Sequence, residues 1–412
     1  MSQAPGSLRS VFARYRYRLY PGPRQELMLA RTFGCARVVF NDSLRVRAEA
    51  RQRGEEVSDT EVQRRVVTLA KSTPEREWLG EVASVALVQA CRDARRAYRN
   101  WFDSMSGRRK GSRSGHPRFR SRKDRRQSAR FTRNGFALHG DRLYVAKVGD
   151  LEVRWSRPLP SEPSSVTVIR EADGRYYASF VVEVAAARLP PVAADVGIDL
   201  GLSVLAATSA GELIANPRHL RQRERDLARA QRALVRKQKG SRNREKARVR
   251  VAVHHRKVRE ARADYLHKTA LRLVRDNQAV YVEDLAVSGL ARTRLAKQVR
   301  DAGWATLVRL LEEKADRYGR AVVKVSRWFP SSQLCSVCGV NDGSKPLSVR
   351  VWTCAGCGTT HDRDVNAAQN IRLEGRKVAA GQADTVNACG GTVRPGFAPA
   401  GLGETGTRRS AA

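Results

Sequence analysis

The chain has 412 residues, with 78 Lys and Arg against 41 Asp and Glu, a formal net charge of +37. A solvated surface usually balances its signs; an excess this large, spread along the whole chain, points to a polyanionic partner, because each neutralised phosphate releases a condensed counterion. No apolar run is long enough to span a bilayer, no lipidation signal or amphipathic apolar face favours a peripheral membrane protein, and the length allows about two or three domains.

Residues 10–20 alternate apolar or aromatic with basic side chains, the period of a half-buried strand. Pro21, Gly22 and Pro23 stop it, and Pro23 opens a helix, where proline is favoured. To about residue 105 the apolar spacing is helical, through Leu29, Phe33 and Val38, then Val62, Val66 and Leu69, then Val85, Val88, Tyr98 and Trp101. Gly54 and the stop at Ser72–Pro74 divide this region into three stretches, and Cys35 and Cys91 read as core. Residues 105–128 form a basic, glycine-containing loop in which Phe119 is a candidate for base stacking. Its charge density favours phosphate contact over a disordered linker.

Residues 129–185 read as strands, with patterns at Phe136–His139, Leu143–Val148, Leu151–Trp155, Val166–Arg170 and Tyr176–Val184 and Asp173-Gly174 as a hairpin turn. With the first strand they could close a small barrel, the helical stretch being an insertion. Leu189–Val192 reads as a domain boundary. Val196–Leu200 is a short apolar strand carrying Asp199, and Leu202–Thr208 and Glu212–Ile214 form a hairpin. Leu220, Leu227 and Leu234 then keep a heptad spacing on a charged segment. A break at Lys239–Asn243 and a second helix to about Arg275 complete an antiparallel pair, read as an arm gripping nucleic-acid backbone rather than only a solvated hairpin. Ala279–Asp284 is a strand ending on acids, Asp301–Tyr318 an amphipathic helix, Ala321–Val325 a strand, and a helix runs from about Asp364 to Glu374. From Ala379 the chain reads as a disordered tail, in which Cys389 is incidental.

Cys335 and Cys338, then Cys354 and Cys357, make the C-x2-C-x15-C-x2-C spacing of a zinc ribbon. Gly339 and Gly358 follow the second cysteine of each pair, where the chain must turn sharply. Four thiolates fill the shell of the metal, so this zinc is structural and leaves no position for water. The rival, two disulfides, needs an oxidising compartment, and Met1–Gly6 lacks the apolar stretch of a secretory signal.

Three acids sit at edges of regular structure: Asp199, Glu283 and Asp364. Any one alone reads as a solvated strand end or an N-cap, Asp364 above all. Together they fit magnesium, for which carboxylates are suitable hard ligands. Three carboxylates can hold two such ions about 4 Å apart, one activating water and one steadying the leaving oxygen of a phosphodiester. Asp195, Asp284 and Asp362 are neighbours that spacing does not exclude.

Gly197–Leu202, Val282–Leu285, Asp301–Trp304, Cys335–Cys338 and His361–Ala368 closely resemble the TnpB family, transposon-encoded RNA-guided DNA endonucleases regarded as ancestors of the type V CRISPR effectors. Further matches lie at Arg16–Pro21, Thr32–Cys35, Pro117–Arg122 and Asp264–Lys268, so the resemblance runs from about residue 12 to 372. It implies a mixed α/β multidomain chain. An N-terminal β-barrel (1–22 and 127–190) would carry an inserted helical recognition domain with the basic loop (23–126). An RNase H-like, RuvC-type nuclease domain (191–330 and 361–378) would carry an inserted zinc ribbon (331–360), and 379–412 would be the tail. In the family the catalytic, magnesium-binding acids fall at the positions of Asp199, Glu283 and Asp364, which selects the second acid of Asp362 and Asp364.

The resemblance also implies a guide RNA from the transposon end, a single protein chain with one RNA, and a double-stranded DNA target cut beside a short adjacent motif. The place of action would be the prokaryotic cytoplasm, at the nucleoid. The alternatives are a nuclease-independent RNA-guided regulator and a compact type V CRISPR effector. A guide-free nuclease has little use for the large basic N-terminal half, and no second catalytic constellation supports a strand-transferring transposase.

Overall fold

The computed structural model describes residues 10–109, 113–346 and 348–381, with the backbone of the short strands Thr385–Val386 and Thr392–Val393. The tail after these, Cys389 and three residues of the basic loop (110–112) lie outside the described residues. The fold is mixed α/β and divides into two compact units, residues 1–186 with 226–256, and 187–225 with 257–412. No helix among the described residues is long and apolar enough to cross a membrane.

In the first unit β1 (Ser10–Tyr20) leads into α1 (Pro23–Gln52), which starts with proline in its first turn. α2 (Asp59–Gln63) is capped by the Ser58 hydroxyl and continues through a π turn; α3 spans Ser84–Met105. Val39, Phe40, Leu44, Val62, Val66, Leu87 and both expected core cysteines, Cys35 and Cys91, close the core among these helices. β2 (Gln127–Thr132), β3 (Phe136–His139), β4 (Arg142–Val145), β5 (Gly149–Arg154), β6 (Pro163–Arg170) and β7 (Tyr176–Ala185) join β1 in one antiparallel sheet, in the order β2-β6-β7-β1-β5-β4-β3. The sheet comes near to closing, because its outer strands β2 and β3 are consecutive and joined by the single turn Arg133–Gly135. β2 falls partly in the stretch expected to be loop; its alternation, with Ala129 and Phe131 buried, is masked in the sequence by flanking arginines.

The basic loop is pinned to α1. Asn41 accepts from the Arg120 amide at 2.8 Å and donates to its carbonyl at 3.0 Å, while the Arg120 guanidinium lies 3.7 Å above the Phe40 ring. Asp173, in the β6–β7 turn, is held by a buried ion pair with Arg256 at 2.6 Å.

The second unit is a five-stranded sheet with helices on both faces. β8 (Asp195–Leu200), β9 (Val204–Thr208) and β10 (Leu213–Ala215) form an antiparallel meander. In chain order α4 (His219–Gln222), α5 (Glu224–Val235) and α6 (Arg242–Asp276) precede β11 (Ala279–Glu283), residues 226–256 of α5 and α6 belonging to the first unit. α7 (Val287–Leu290), α8 (Ala296–Ala302), α9 (Trp304–Tyr318) and β12 (Ala321–Val325) follow. The strand order is β10-β9-β8-β11-β12, with β8, β11 and β12 parallel. The chain then forms a two-stranded ribbon, β13 (Val351–Thr353) and β14 (Thr360–Asp362), and enters α10 (Arg363–Ala379). The single helix expected over Asp301–Tyr318 is two helices: Gly303, at φ 76°, turns the chain between α8 and α9, and Asp301 belongs to the earlier one.

Strand alternation assigns the faces. Val196, Ile198, Leu200, Val280 and Val282 pack with Leu266 and Leu273 of α6 and Leu307, Leu310 and Leu311 of α9. The intervening residues, Gly197, Asp199, Tyr281 and Glu283, therefore face α10.

Candidate active site

The parallel register of β8 and β11 pairs Ile198 with Val282. Continuing it by one residue sets Asp199 beside Glu283 at the carboxyl ends of both strands, where ligands bind in open α/β sheets. α10 descends onto this face because two glycines let it. A Cβ on Gly197 would lie 2.1 Å from the Ala368 carbonyl oxygen, and one on Gly375 would lie 2.3 Å from Cδ1 of Tyr281. Arg376 near the end of α10 grips Asp195 at the start of β8, at 2.6 and 2.7 Å. The helix thus runs antiparallel to the strands and brings its first turn, with Asp364, to the acids. Asp199, Glu283 and Asp364 all line one cleft of about 670 Å³, together with Arg327, Trp328, Arg350 and Arg363.

Burial, reinforced by the charges of Asp364 and Glu283, pushes the Asp199 carboxyl up to about 7. Burial, with the charge of Asp284 beside it, pushes Glu283 up to about 7 as well. Two carboxyls that hold protons near neutrality mark a site where burial leaves the ionised acids poorly solvated. Part of the charge of Asp364 is met by Arg350, whose Nη1 lies 3.0 and 3.1 Å from the two carboxylate oxygens. The neighbouring acids are engaged elsewhere. Asp362, not Asp364, caps α10, accepting from the amides of Asp364 and Val365 at 3.0 and 2.9 Å. Asp284 pairs with Arg327. Asp195 is held below the usual carboxylate range by the Arg376 guanidinium. The cap therefore falls one residue before Arg363, which leaves Asp364 free to face the cleft.

Among the described residues, the one group of three or more His, Cys, Asp or Glu whose ligand atoms all lie within 4.8 Å of one another is Cys335, Cys338, Cys354 and Cys357. Cys335 and Cys357 sulfurs are 3.7 Å apart, Cys338 and Cys354 sulfurs 3.6 Å. The edge of a tetrahedron with zinc–sulfur bonds of about 2.3 Å is about 3.8 Å, so the four sulfurs fit one such ion. Gly339 and Gly358, at φ 76° and 71°, make the turns behind each pair. Nε2 of the buried His361 is 3.1 Å from the Cys335 sulfur, and its ring packs on Trp352.

Spacing does not reveal Arg327, Arg350, Arg363 or Trp328 as part of the cleft; they sit in the segments that join the sheet to the cysteine cluster and to α10. Asp301 has a different role from any in the cleft. Its buried carboxylate accepts from the amides of Leu220 and Arg221 at 2.9 to 3.3 Å and from Arg262 at 2.8 Å, so it caps α4.

Three family models match the chain: a "Probable transposase" model of the OrfB type over residues 179–294, a "Cas12f1-like, TNB domain" over 304–371 and a "Helix-turn-helix domain" over 11–56. A Streptomyces pristinaespiralis protein named "Putative RNA-guided DNA endonuclease" is 44% identical over 94% of this chain and 93% of its own length. The Escherichia coli protein "Putative RNA-guided DNA endonuclease InsQ" is 30% identical over 93% of this chain and 95% of its own. In fold, the chain is similar to the protein in a solved "Cas12f1-sgRNA-target DNA complex", with a TM-score of 0.54 at 12% identity over 88% of this chain and 98% of that one. The three family models, and relatives spanning nearly the whole chain, place it in the TnpB family.

Proposed function

We propose that this chain is a transposon-encoded, RNA-guided DNA endonuclease that hydrolyses the phosphodiester backbone of a target next to a short adjacent motif. The observation that carries this reading is the meeting of Asp199, Glu283 and Asp364 in one cleft, where burial raises the proton affinity of the first two. These residues would hold two magnesium ions, hard cations that carboxylate oxygens suit. The chemistry supplied by magnesium there is activation of water and stabilisation of the leaving oxygen. The chain's own contributions are positional. The strand ends fix Asp199 and Glu283 side by side, and the first turn of α10 adds the positive end of a helix dipole beside them. Arg350 and Arg363 on the cleft wall offer guanidinium groups to phosphate oxygens.

The cysteine cluster would hold a structural zinc that ties residues 331–360 into a ribbon. The near-closed sheet and its inserted helices would hold the guide and read the adjacent motif, the sequence of the target being read by base pairing. The net charge of +37 suits a chain that carries an RNA and a DNA duplex. The cytoplasm of a prokaryote, at the nucleoid, is the place where such a chain would act.

The test is a magnesium-dependent cleavage assay on the protein purified with its RNA, that RNA being sequenced to design the target. Asp199→Ala should abolish cutting and leave guide and target binding intact. Cleavage by Asp199→Ala at the wild-type rate would remove the assignment.

A further inference from the structure

Trp328 is 83% exposed, more than any other large apolar side chain among the described residues. It lines the same cleft as the three acids. Water-exposed indole at such a place forgoes a large burial energy, so a ligand that covers it gains one.

The segment that carries it is rigid. The Trp328 amide donates to the Ser326 hydroxyl at 3.3 Å and the Phe329 amide to the Ser326 carbonyl at 3.0 Å. The Ser331 amide donates to the Phe329 carbonyl at 2.8 Å, and the Ser331 carbonyl accepts from the buried Asn370 of α10 at 2.8 Å. Phe329 packs against Tyr281, Val325 and Ile371 under the sheet. The neighbouring Arg327 also lines the cleft, where it pairs with the equally exposed Asp284. Trp328 is thus an exposed aromatic face carried beside the acids on a hydrogen-bonded backbone, with Arg350 and Arg363 lining the same space.

An aromatic face and guanidinium groups around a hydrolytic centre match the two parts of a nucleotide, a base to stack and a phosphate to neutralise. A duplex shows the edges of its bases in its grooves, not their faces. Only an unpaired strand can lay a base on the indole.

We propose that Trp328 is a stacking platform for an unpaired base of the DNA strand being cut, and that it sets which phosphodiester reaches Asp199, Glu283 and Asp364. The inference rests on the nuclease reading above for its role in cutting, but the stacking itself is measurable without cutting.

The probes are single-stranded oligodeoxynucleotides carrying 2-aminopurine at successive positions around the cut site. They are titrated into the complete protein with its RNA, in an Asp199→Ala background that prevents hydrolysis. Quenching at one or two positions is expected, lost in Trp328→Ala and largely restored in Trp328→Phe. Affinity for the single strand should fall roughly five- to 150-fold in Trp328→Ala, the range expected for one lost base stack, with duplex affinity unchanged. With Asp199 restored, Trp328→Ala should raise KM and spread cleavage over neighbouring positions.

Equal quenching and equal affinity in Trp328→Ala would overturn the proposal, as would a loss of duplex binding as large as the loss of single-strand binding. If quenching depends on Trp328 but the native chain cuts nothing, the nuclease reading fails and the platform stands. If the chain cuts normally and Trp328→Ala changes nothing, the platform fails and the nuclease reading stands.

Discussion

Nη1 of Arg350 reaches both oxygens of Asp364, at 3.0 and 3.1 Å, so a cationic side chain sits on one of the three carboxylates that a divalent ion would use. Arg350 also lowers the proton affinity of Asp199, against the larger effect of burial. Its backbone carbonyl accepts from the Arg363 amide at 2.7 Å, which fixes it to the start of α10.

A divalent cation held by Asp364, as proposed, would therefore compete with Arg350. The Arg350 side chain is 51% exposed, and a solvent-exposed ion pair is worth about 0.5–1 kcal/mol. Arg350→Ala should lower the magnesium concentration for half-maximal cleavage about two- to five-fold, while maximal rate falls if the guanidinium also meets the scissile phosphate. A magnesium titration of cleavage at fixed target separates the two effects; an unchanged midpoint would mean that the pair opens at no cost.

The raised proton affinities have a sign that stability measurements can read. Asp199 and Glu283 stand at about 7, above ordinary values of 3.8 and 4.5. Between those ordinary values and about 7 the folded chain binds more protons than the unfolded one, so these two groups lose stability for the fold as pH rises through that window. Each tenfold change in proton affinity corresponds to about 1.4 kcal/mol. With relaxation and water in the cleft, about 1–2 kcal/mol for Asp199 is expected. Asp199→Asn should therefore melt with the wild type near pH 4 and about 2–6 °C above it at pH 8, in buffer without magnesium but with zinc retained. Added magnesium should close that gap by stabilising the wild type alone.

How far the sequence carries these conclusions differs by element. The alternation of residues 10–20, the hairpin at Asp173-Gly174 and the cysteine spacing are local signals, and each was readable because chain neighbours decide it. The start of β2 is hidden, because Arg126, Arg130 and Arg133 give its surroundings the composition of a loop while Ala129 and Phe131 alone carry the buried face. The break at Gly303 was missed because α8 and α9 share one apolar pattern across it. Asp199, Glu283 and Asp364 could be singled out as acids at element ends. Their arrival in one cleft depends on Gly197 and Gly375, whose importance appears only when α10 lies on the sheet. The cap at Asp362 follows from where α10 starts, a boundary that periodicity places only to within a residue or two.

The sulfur cluster gives a prediction with two levels. Cys354→Ser should lose nearly all bound zinc, measured by elemental analysis of the purified protein, because an alcohol does not replace a thiolate ligand. His361→Gln removes the ring whose Nε2 lies 3.1 Å from the Cys335 sulfur but leaves all four thiolates. It should weaken zinc about 10- to 100-fold, the usual effect of losing a group that orients a ligand, seen in competition with a chelator. Both changes loosen the segment that holds Arg350 against Asp364, so cleavage should fall more in Cys354→Ser than in His361→Gln.

The closest test of how α10 builds the cleft compares two substitutions of the smallest kind. Glycine inside a helix costs about 1 kcal/mol relative to alanine, so Gly375→Ala would stabilise α10 if nothing stood in the way. The obstacles are Cδ1, Cγ and Cβ of Tyr281 at 2.3, 2.5 and 2.8 Å; tilting the ring moves neither Cγ nor Cβ, so the tyrosine side chain as a whole must shift. Overpacking of this kind costs about 1–3 kcal/mol, so the net loss should be about 0–2 kcal/mol. At Gly197 the obstacles are the Ala368 carbonyl oxygen at 2.1 Å and the Arg372 amide nitrogen at 2.7 Å. Backbone in the middle of a helix cannot turn aside, so Gly197→Ala must lift α10 from β8 and carry Asp364 away from Asp199. It should lose more stability than Gly375→Ala, about 3 kcal/mol or more, and it should lose cleavage even under conditions where it remains folded. Denaturant midpoints give the first comparison and single-turnover cleavage rates the second. Equal stability and equal rates in the two variants would mean that α10 does not rest on β8 through Gly197, and the position of Asp364 would then need another support.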